Sequence, residues 1–154
     1  MPIKLLETPR LILRRPTLAD APGIFDTYAA DEEVTHWLAW PRHRSVDDTR
    51  TYLTFSDTEW SQWPVGPLLM IAKADGAIVG TTGLDFETPY RASTGYVLAK
   101  KYWGQGYAVE ALQTISTLAT ELQVQRLYAL CHTGHVRSRR VLEKSGFVSE
   151  GILR

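Results

Sequence analysis

Between a short apolar segment and a long amphipathic one, the chain reads Lys101-Tyr102-Trp103-Gly104-Gln105-Gly106-Tyr107-Ala108. Two glycines one residue apart let the backbone take positive φ and let a ligand come close to the main chain. A helix that starts directly after them presents N–H groups with no internal partner and the positive end of its dipole. The combination is an anion site, and a pyrophosphate is its natural occupant. The same residues also make a plain tight turn, and spacing alone leaves both readings open. Two commoner phosphate patterns fail. The dinucleotide fingerprint needs a third glycine where this chain has Val109, and no Gly-Lys-Ser/Thr follows the loop.

Other side chains able to do chemistry lie further on. Cys131 stands near His132 and His135, which fits either an activated nucleophile or a buried inert cysteine. Ser138 opens a short helix, as a polar first-turn residue or as a hydroxyl donor. Arg137, Arg139, Arg140 and Lys144 put positive charge on that helix, as a solvated face or an anion clamp. Trp37, Trp40, Trp60 and Trp63 fit a core or a cage for an ammonium group. Four scattered histidines and one cysteine, without His-Glu-x-x-His, make no zinc set, so no metal is expected.

Periodicity supplies the frame. Arg10 to Arg15 alternates as a strand ended by Pro16. A helix follows from Thr17 or Asp20 to about Ala30, with Pro22 in its first turn. Ser45 and Asp48 resemble a capping box that opens a helix from Val46 to about Trp60. Leu68 to Lys73 and Ala77 to Thr82 read as strands joined at Asp75-Gly76. Phe86 to Ser93 reads as a polar loop, and Thr94 to Ala99 as a strand. Ala108, Ala111, Leu112, Ile115, Leu118, Ala119 and Leu122 share one helical face. Arg126 to Cys131 is strand-like. Val136 to Lys144 is a helix closed by Ser145-Gly146, after which Phe147-Val148 opens a last strand. This order predicts a mixed α/β (α+β) sheet with helices on its faces.

A length of 154 residues implies one domain. Seventeen basic residues balance seventeen acidic ones, so no global field draws nucleic acid or an anionic membrane. A single cysteine cannot staple the fold, which suits a reducing compartment. Leu5-Leu6 and Leu11-Ile12-Leu13 are too short for a signal peptide's apolar region, and no run approaches the ~20 residues of a membrane span. A cytoplasmic protein is expected, with no nucleic-acid or membrane partner.

The loop, with Glu110-Ala111 behind it, resembles the acetyl-coenzyme A loop of the GNAT superfamily of N-acetyltransferases. Lys101 stands where that family usually has arginine or glutamine. Ser138-Arg139-Arg140-Val141-Leu142-Glu143-Lys144-Ser145-Gly146-Phe147 is similar to the closing helix and strand of the branch that contains the ribosomal-protein N-terminal acetyltransferases. Thr8-Pro9-Arg10-Leu11-Ile12-Leu13-Arg14 resembles that branch's opening strand. The resemblance implies a mostly antiparallel central sheet flanked by helices. Relatives usually continue through a further strand beyond position 154, so that strand is either absent or lies outside this sequence; an absent strand would leave a sheet edge for a partner chain to complete, as in a homodimer.

For chemistry, the resemblance implies acetyl-CoA as co-substrate. Val97, Leu98 and Ala99 would hold its pantetheine arm, and the loop from Trp103 through Gly104, Gln105, Gly106, Tyr107 and Ala108 its pyrophosphate. His135 takes the place of an asparagine that touches the cofactor. Arg140 and its basic neighbours would face the 3′-phosphate or adenine end, and Ser138 would partner the leaving thiolate. A primary amine would attack the thioester directly, with a strand N–H near Val97 or Leu98 serving the oxyanion. Ser93-Thr94 stands where many relatives carry a glutamate, so Asp85 and Glu87 are the candidate bases, or else solvated loop charges. The acceptor is a protein N-terminus, a polyamine or a small amine. The alternative is a non-catalytic acyl-CoA-binding or regulatory module.

Overall fold

The computed structural model describes residues 5–153. In chain order the strands are β1 (Leu5–Glu7), β2 (Leu11–Arg14), β3 (Pro67–Ala72), β4 (Ile78–Gly83), β5 (Asp85–Thr88), β6 (Arg91–Thr94), β7 (Tyr96–Leu98) and β8 (Arg126–Ala129). The helices are α1 (Ala21–Ile24), α2 (Glu32–Thr35), α3 (Val46–Gln62), α4 (Tyr107–Glu121) and α5 (Val136–Lys144). A 3-10 turn, Leu18–Asp20, precedes α1, and a π-helical turn, Phe25–Ala29, extends it. The expected helix over this region is therefore present in three kinds of winding.

Two sheets meet at one strand run. An antiparallel sheet has the order β1-β2-β3-β4-β7, and a smaller one the order β5-β6-β8. β6 and β7 are nearly continuous, broken only at Gly95. β6 pairs with β5 and, in parallel, with β8, the last pair being Thr94 with Ala129. Beyond that point β8 ends, and among the described residues β7 is bonded on one side only, to β4. The mostly antiparallel sheet flanked by helices is thus as expected, and it splits beside β7.

Burial explains why these segments fold as they do. The apolar face of α4 places Ala108, Ala111, Ile115, Leu118 and Ala119 in one core with Leu11, Leu13, Met70 and Val79 of the large sheet, and Leu112 is buried on the same helix. Tyr28, Leu53 and Trp60 from the α1 and α3 regions belong to the same core. Ser45 makes no side-chain cap to α3. Asp48 instead accepts from Arg44 N at 2.9 Å. The Asp75-Gly76 turn forms as predicted, with Gly76 at φ +73°.

Two expectations are corrected. The segment 86–93 is a hairpin, not a loop. Phe86 and Ala92 point into the core, while Asp85, Glu87 and Arg91 are exposed, and Arg91 pairs with Glu87 at 3.1 Å. One inward residue per short strand is too few to show alternation. Phe147 and Val148 begin no strand. Phe147 N donates to Leu142 O and Gly146 N to Glu143 O, so both are spent in closing α5 through the left-handed Gly146.

The position of β7 depends on a missing side chain. A Cβ at Gly80 would lie 1.9 Å from the Val97 carbonyl oxygen and 3.0 Å from Leu98 Cα. Those are main-chain atoms with nowhere to rotate. Gly80→Ala should therefore push β7 off β4 and destabilise the protein by about 3 kcal/mol, at the upper end of overpacking effects. Urea denaturation of the variant measures it.

Candidate active site

The alternation of an antiparallel ladder decides which β7 groups face the split. Ala99 N donates to Val79 O, so Ala99 and Val97 turn their main-chain groups toward β4. Leu98 and Tyr96 turn theirs outward. The outward Leu98 carbonyl accepts from Trp103 Nε1 at 3.0 Å. Beside this edge lies a cleft of about 500 Å³. Its floor is β7 and the Gly104–Gly106 loop, one wall is α5, and the other is α2 with the residues after it.

The loop fits the anion reading. Gly104 and Gly106 both have positive φ, +72° and +84°. Gly106 is the N-cap of α4 and offers no side-chain cap, so the first N–H groups of the helix are left for another acceptor. A clamp from the other end of the chain holds the loop's outer side. Arg10 NH1 donates to Gln105 O at 2.9 Å, and Arg10 Nε donates to Glu110 Oε1 at 2.8 Å. The Arg10 guanidinium lies 4.0 Å from the centre of the Tyr107 ring. Arg10 N and Thr8 Oγ1 both donate to Glu110 Oε2. Burial alone would raise the Glu110 carboxyl, but the Thr8 and Arg10 hydrogen bonds and the Arg10 charge outweigh it and hold it below its ordinary value.

α5 supplies the polar wall. Arg137, Arg140 and Lys144 line the cleft, and the Arg137 guanidinium sits 4.1 Å from the Trp103 ring centre. Ser138 is buried near the Tyr96 phenol. Burial raises the Tyr96 hydroxyl above its ordinary value, while Ser138 and the Arg137 charge act against the rise. His135, the N-cap of α5, also reaches the cleft.

The structure gathers most of the predicted residues here. Val97, Leu98, Trp103, Gly104, Gly106, Tyr107, Ala108, His135 and Arg140 line the cleft. Ala99 is buried against β4, and Gln105 is exposed with its amide donating to Lys101 O at 2.7 Å. Of the tryptophans, only Trp37 and Trp103 reach the site. Trp60 is buried and donates to Pro67 O, and Trp63 stacks on Phe86. Cys131 is exposed, not buried. Its neighbour His132 is engaged elsewhere, accepting from Gly134 N through Nδ1. Glu87 is tied to Tyr128 and Arg91, whereas Asp85 is exposed opposite Ser93. Sequence reasoning missed the Arg10–Glu110 clamp and the Tyr96–Ser138 pair, since contacts between residues far apart in the chain leave no local trace. Among the described residues, no group of His, Cys, Asp and Glu is placed to hold a metal.

Known proteins resemble this chain in sequence and fold. A family model described as an acetyltransferase (GNAT) domain matches residues 10–148. An uncharacterized N-acetyltransferase, p20, of Bacillus licheniformis is 29% identical over 152 residues, covering 97% of this chain and 85% of that protein. An acetyltransferase (GNAT family) from Bacillus anthracis has the same fold, with a TM-score of 0.84 at 23% identity, over 96% of this chain and 85% of that one. So does RimL, a ribosomal L7/L12 alpha-N-protein acetyltransferase solved with coenzyme A in disulfide linkage to a cysteine. Its TM-score is 0.87 at 19% identity, over 96% of this chain and 86% of that one.

The clamp makes a stability prediction. Glu110→Gln removes a charged acceptor from three donors and should cost about 2 kcal/mol at pH 7, the range for hydrogen bonds to a charged group. Because the folded-state value is depressed, the contribution is complete above the carboxyl's ordinary 4.5 and is lost as pH falls through the lower folded value. Urea midpoints of wild type and variant should differ at pH 7 and converge in acid.

Proposed function

The chain belongs to the GNAT acetyltransferase family, and on that premise we propose that it moves the acetyl group of acetyl-CoA to a primary amine at the cleft beside β7. GNAT acetyltransferases use acetyl-CoA. One observation carries the placement: an unpaired strand edge runs into a glycine loop at a helix N-terminus, with Arg137, Arg140 and Lys144 alongside. That suits a ligand with a hydrogen-bonding arm and an anionic end. Outward main-chain groups of Tyr96 suit an amide of the pantetheine arm, the Leu98 carbonyl being held by Trp103 Nε1. The N–H groups of residues 104–108 suit the pyrophosphate, and Arg140 and Lys144 suit the remaining phosphate.

Bound in this way, acetyl-CoA supplies an acyl group already activated as a thioester. The chain's own residues do the rest. The outward Leu98 N–H donates to the developing oxyanion; Val97, turned toward β4, does not. Ser138, beside Tyr96, gives a proton to the departing sulfur. The incoming amine must be neutral. Asp85 and Glu87 both lie outside the cleft lining, and Glu87 already holds Tyr128 and Arg91, so Asp85, acting through water, is the better base of the two. A protein N-terminal amine is the acceptor we favour, because RimL is named for that activity. The zero net charge offers no field to gather a polyamine. The lone exposed thiol suits a reducing, cytoplasmic setting.

Calorimetric titration with acetyl-CoA tests the reading. The wild type should bind in the micromolar range, and Gly106→Trp, which fills the loop at a left-handed position, should abolish binding. An amine panel of short peptides, polyamines and small amines should then show turnover with peptide N-termini. Binding with no turnover on any amine would instead mark a non-catalytic acyl-CoA module.

A further inference from the structure

The two walls of the cleft touch at one place. Trp37, just after α2, lies between two histidines of the loop that leads into α5. Its ring is 5.4 Å from that of His135, nearly parallel at 13°, and 4.8 Å from that of His132. His36 meets the same indole edge-on at 4.6 Å. Among the described residues, no hydrogen bond joins the segment 36–42 to the loop 130–135, so the joint consists of stacked rings alone. Burial, with the charges of Arg137, His132 and His36, holds the His135 imidazole below its ordinary value, so it stacks as a neutral ring. Trp37 remains 36% exposed and so has room to swing out.

The joint sits at a defined end of the cleft. His135 precedes Ser138 by one helical turn, and Ser138 lies beside Tyr96. Lys144, at the far end of α5, lines the cleft together with Gly104 and Gly106. At 1.5 Å per residue the nine residues of α5 separate these ends by about 13 Å. Trp37 therefore covers the Ser138–Tyr96 end, away from the anion loop. The loop beneath it is built for close approach. A Cβ at Gly134 would lie 3.0 and 3.2 Å from two atoms of the Trp37 ring and 3.3 Å from His132 Nδ1, although Gly134 has no left-handed φ to require glycine.

We propose that Trp37 is a movable wall over the acyl end of the cleft, and that it limits the bound acyl group to acetyl and keeps water from the thioester. This rests on the acyl-CoA reading above. The indole lines the cleft and packs on His135, one turn before Ser138, so a longer acyl chain would meet it there, and among the described residues no main-chain hydrogen bond ties it to the facing loop.

The test compares acetyl-CoA with butyryl-CoA by calorimetry in wild type, Trp37→Ala and Gly134→Ala. A hydrophobic wall discriminates by roughly tenfold or more per methylene, and butyryl carries two more than acetyl, so the wild type should favour acetyl-CoA by at least about a hundredfold and Trp37→Ala should lose that preference. Gly134→Ala keeps the indole but displaces it, and should fall between. A second readout needs no acceptor. Water that adds to the exposed thioester breaks the C–S bond and releases acetate and the coenzyme A thiol, and Trp37→Ala should raise this rate several-fold. If the wild type binds neither thioester, the acyl-CoA reading itself fails. If acetyl-CoA binds while neither variant changes the butyryl preference or the hydrolysis rate, the role given to Trp37 is wrong and the acyl-CoA reading stands.

Discussion

A strand edge left open beside a core is a liability unless something pairs with it. In this protein the open edge of β7 is what the rest of the architecture arranges. β6 and β7 form one run, yet only the β6 half has β8 as a neighbour, because β8 ends opposite Thr94. From that point the two sheets diverge and the outward groups of Tyr96 and Leu98 face a cleft. Gly80 lets β7 lie close enough to β4 for its inner groups to be satisfied there. The Trp103 indole takes the Leu98 carbonyl and ties the start of the anion loop to the same strand.

Electrostatics are layered around that edge. The α4 N-terminus carries the positive end of a helix dipole, and α5 adds Arg137, Arg140 and Lys144 along one wall. Glu110 sits within the first turn of α4, where an acid is favourable, yet its charge is consumed by Thr8 and Arg10 on the outer side of the loop. The clamp therefore holds the loop from behind and leaves the cleft side positive. A chain with zero net charge thus has one locally basic cleft without an overall field for polyanions.

Much of this is legible in the sequence where the signal is local. The apolar stripe of α4 spans four turns, so its period is unmistakable, and the glycine loop before it is contiguous. Ser145-Gly146 closes α5 as the residues suggest. The misses have separate physical causes. Each β5–β6 strand buries a single side chain, Phe86 or Ala92, and its charged outer face hides the alternation. Phe147 looked like the start of a strand because it is apolar, but its N–H is spent on the α5 terminus. Arg10 with Glu110, and Trp37 with His132 and His135, meet only through tertiary folding. Their partners lie about a hundred residues apart in the chain, where no periodicity can connect them. Cys131, whose sequence context fits an activated nucleophile or a buried cysteine, lies exposed where the chain leaves β8 into a loop.

The central claim is that one ligand spans from the β7 edge to the α4 N-terminus, and amide hydrogen exchange with and without acetyl-CoA reads it residue by residue. The account predicts added protection at Leu98 and across residues 104–108 together, with Val97 and Ala99 already slow because they are bonded to β4. Protection confined to the outer face of α4 near Gln113 and Thr117, or binding that leaves Leu98 and the loop unprotected, would contradict it.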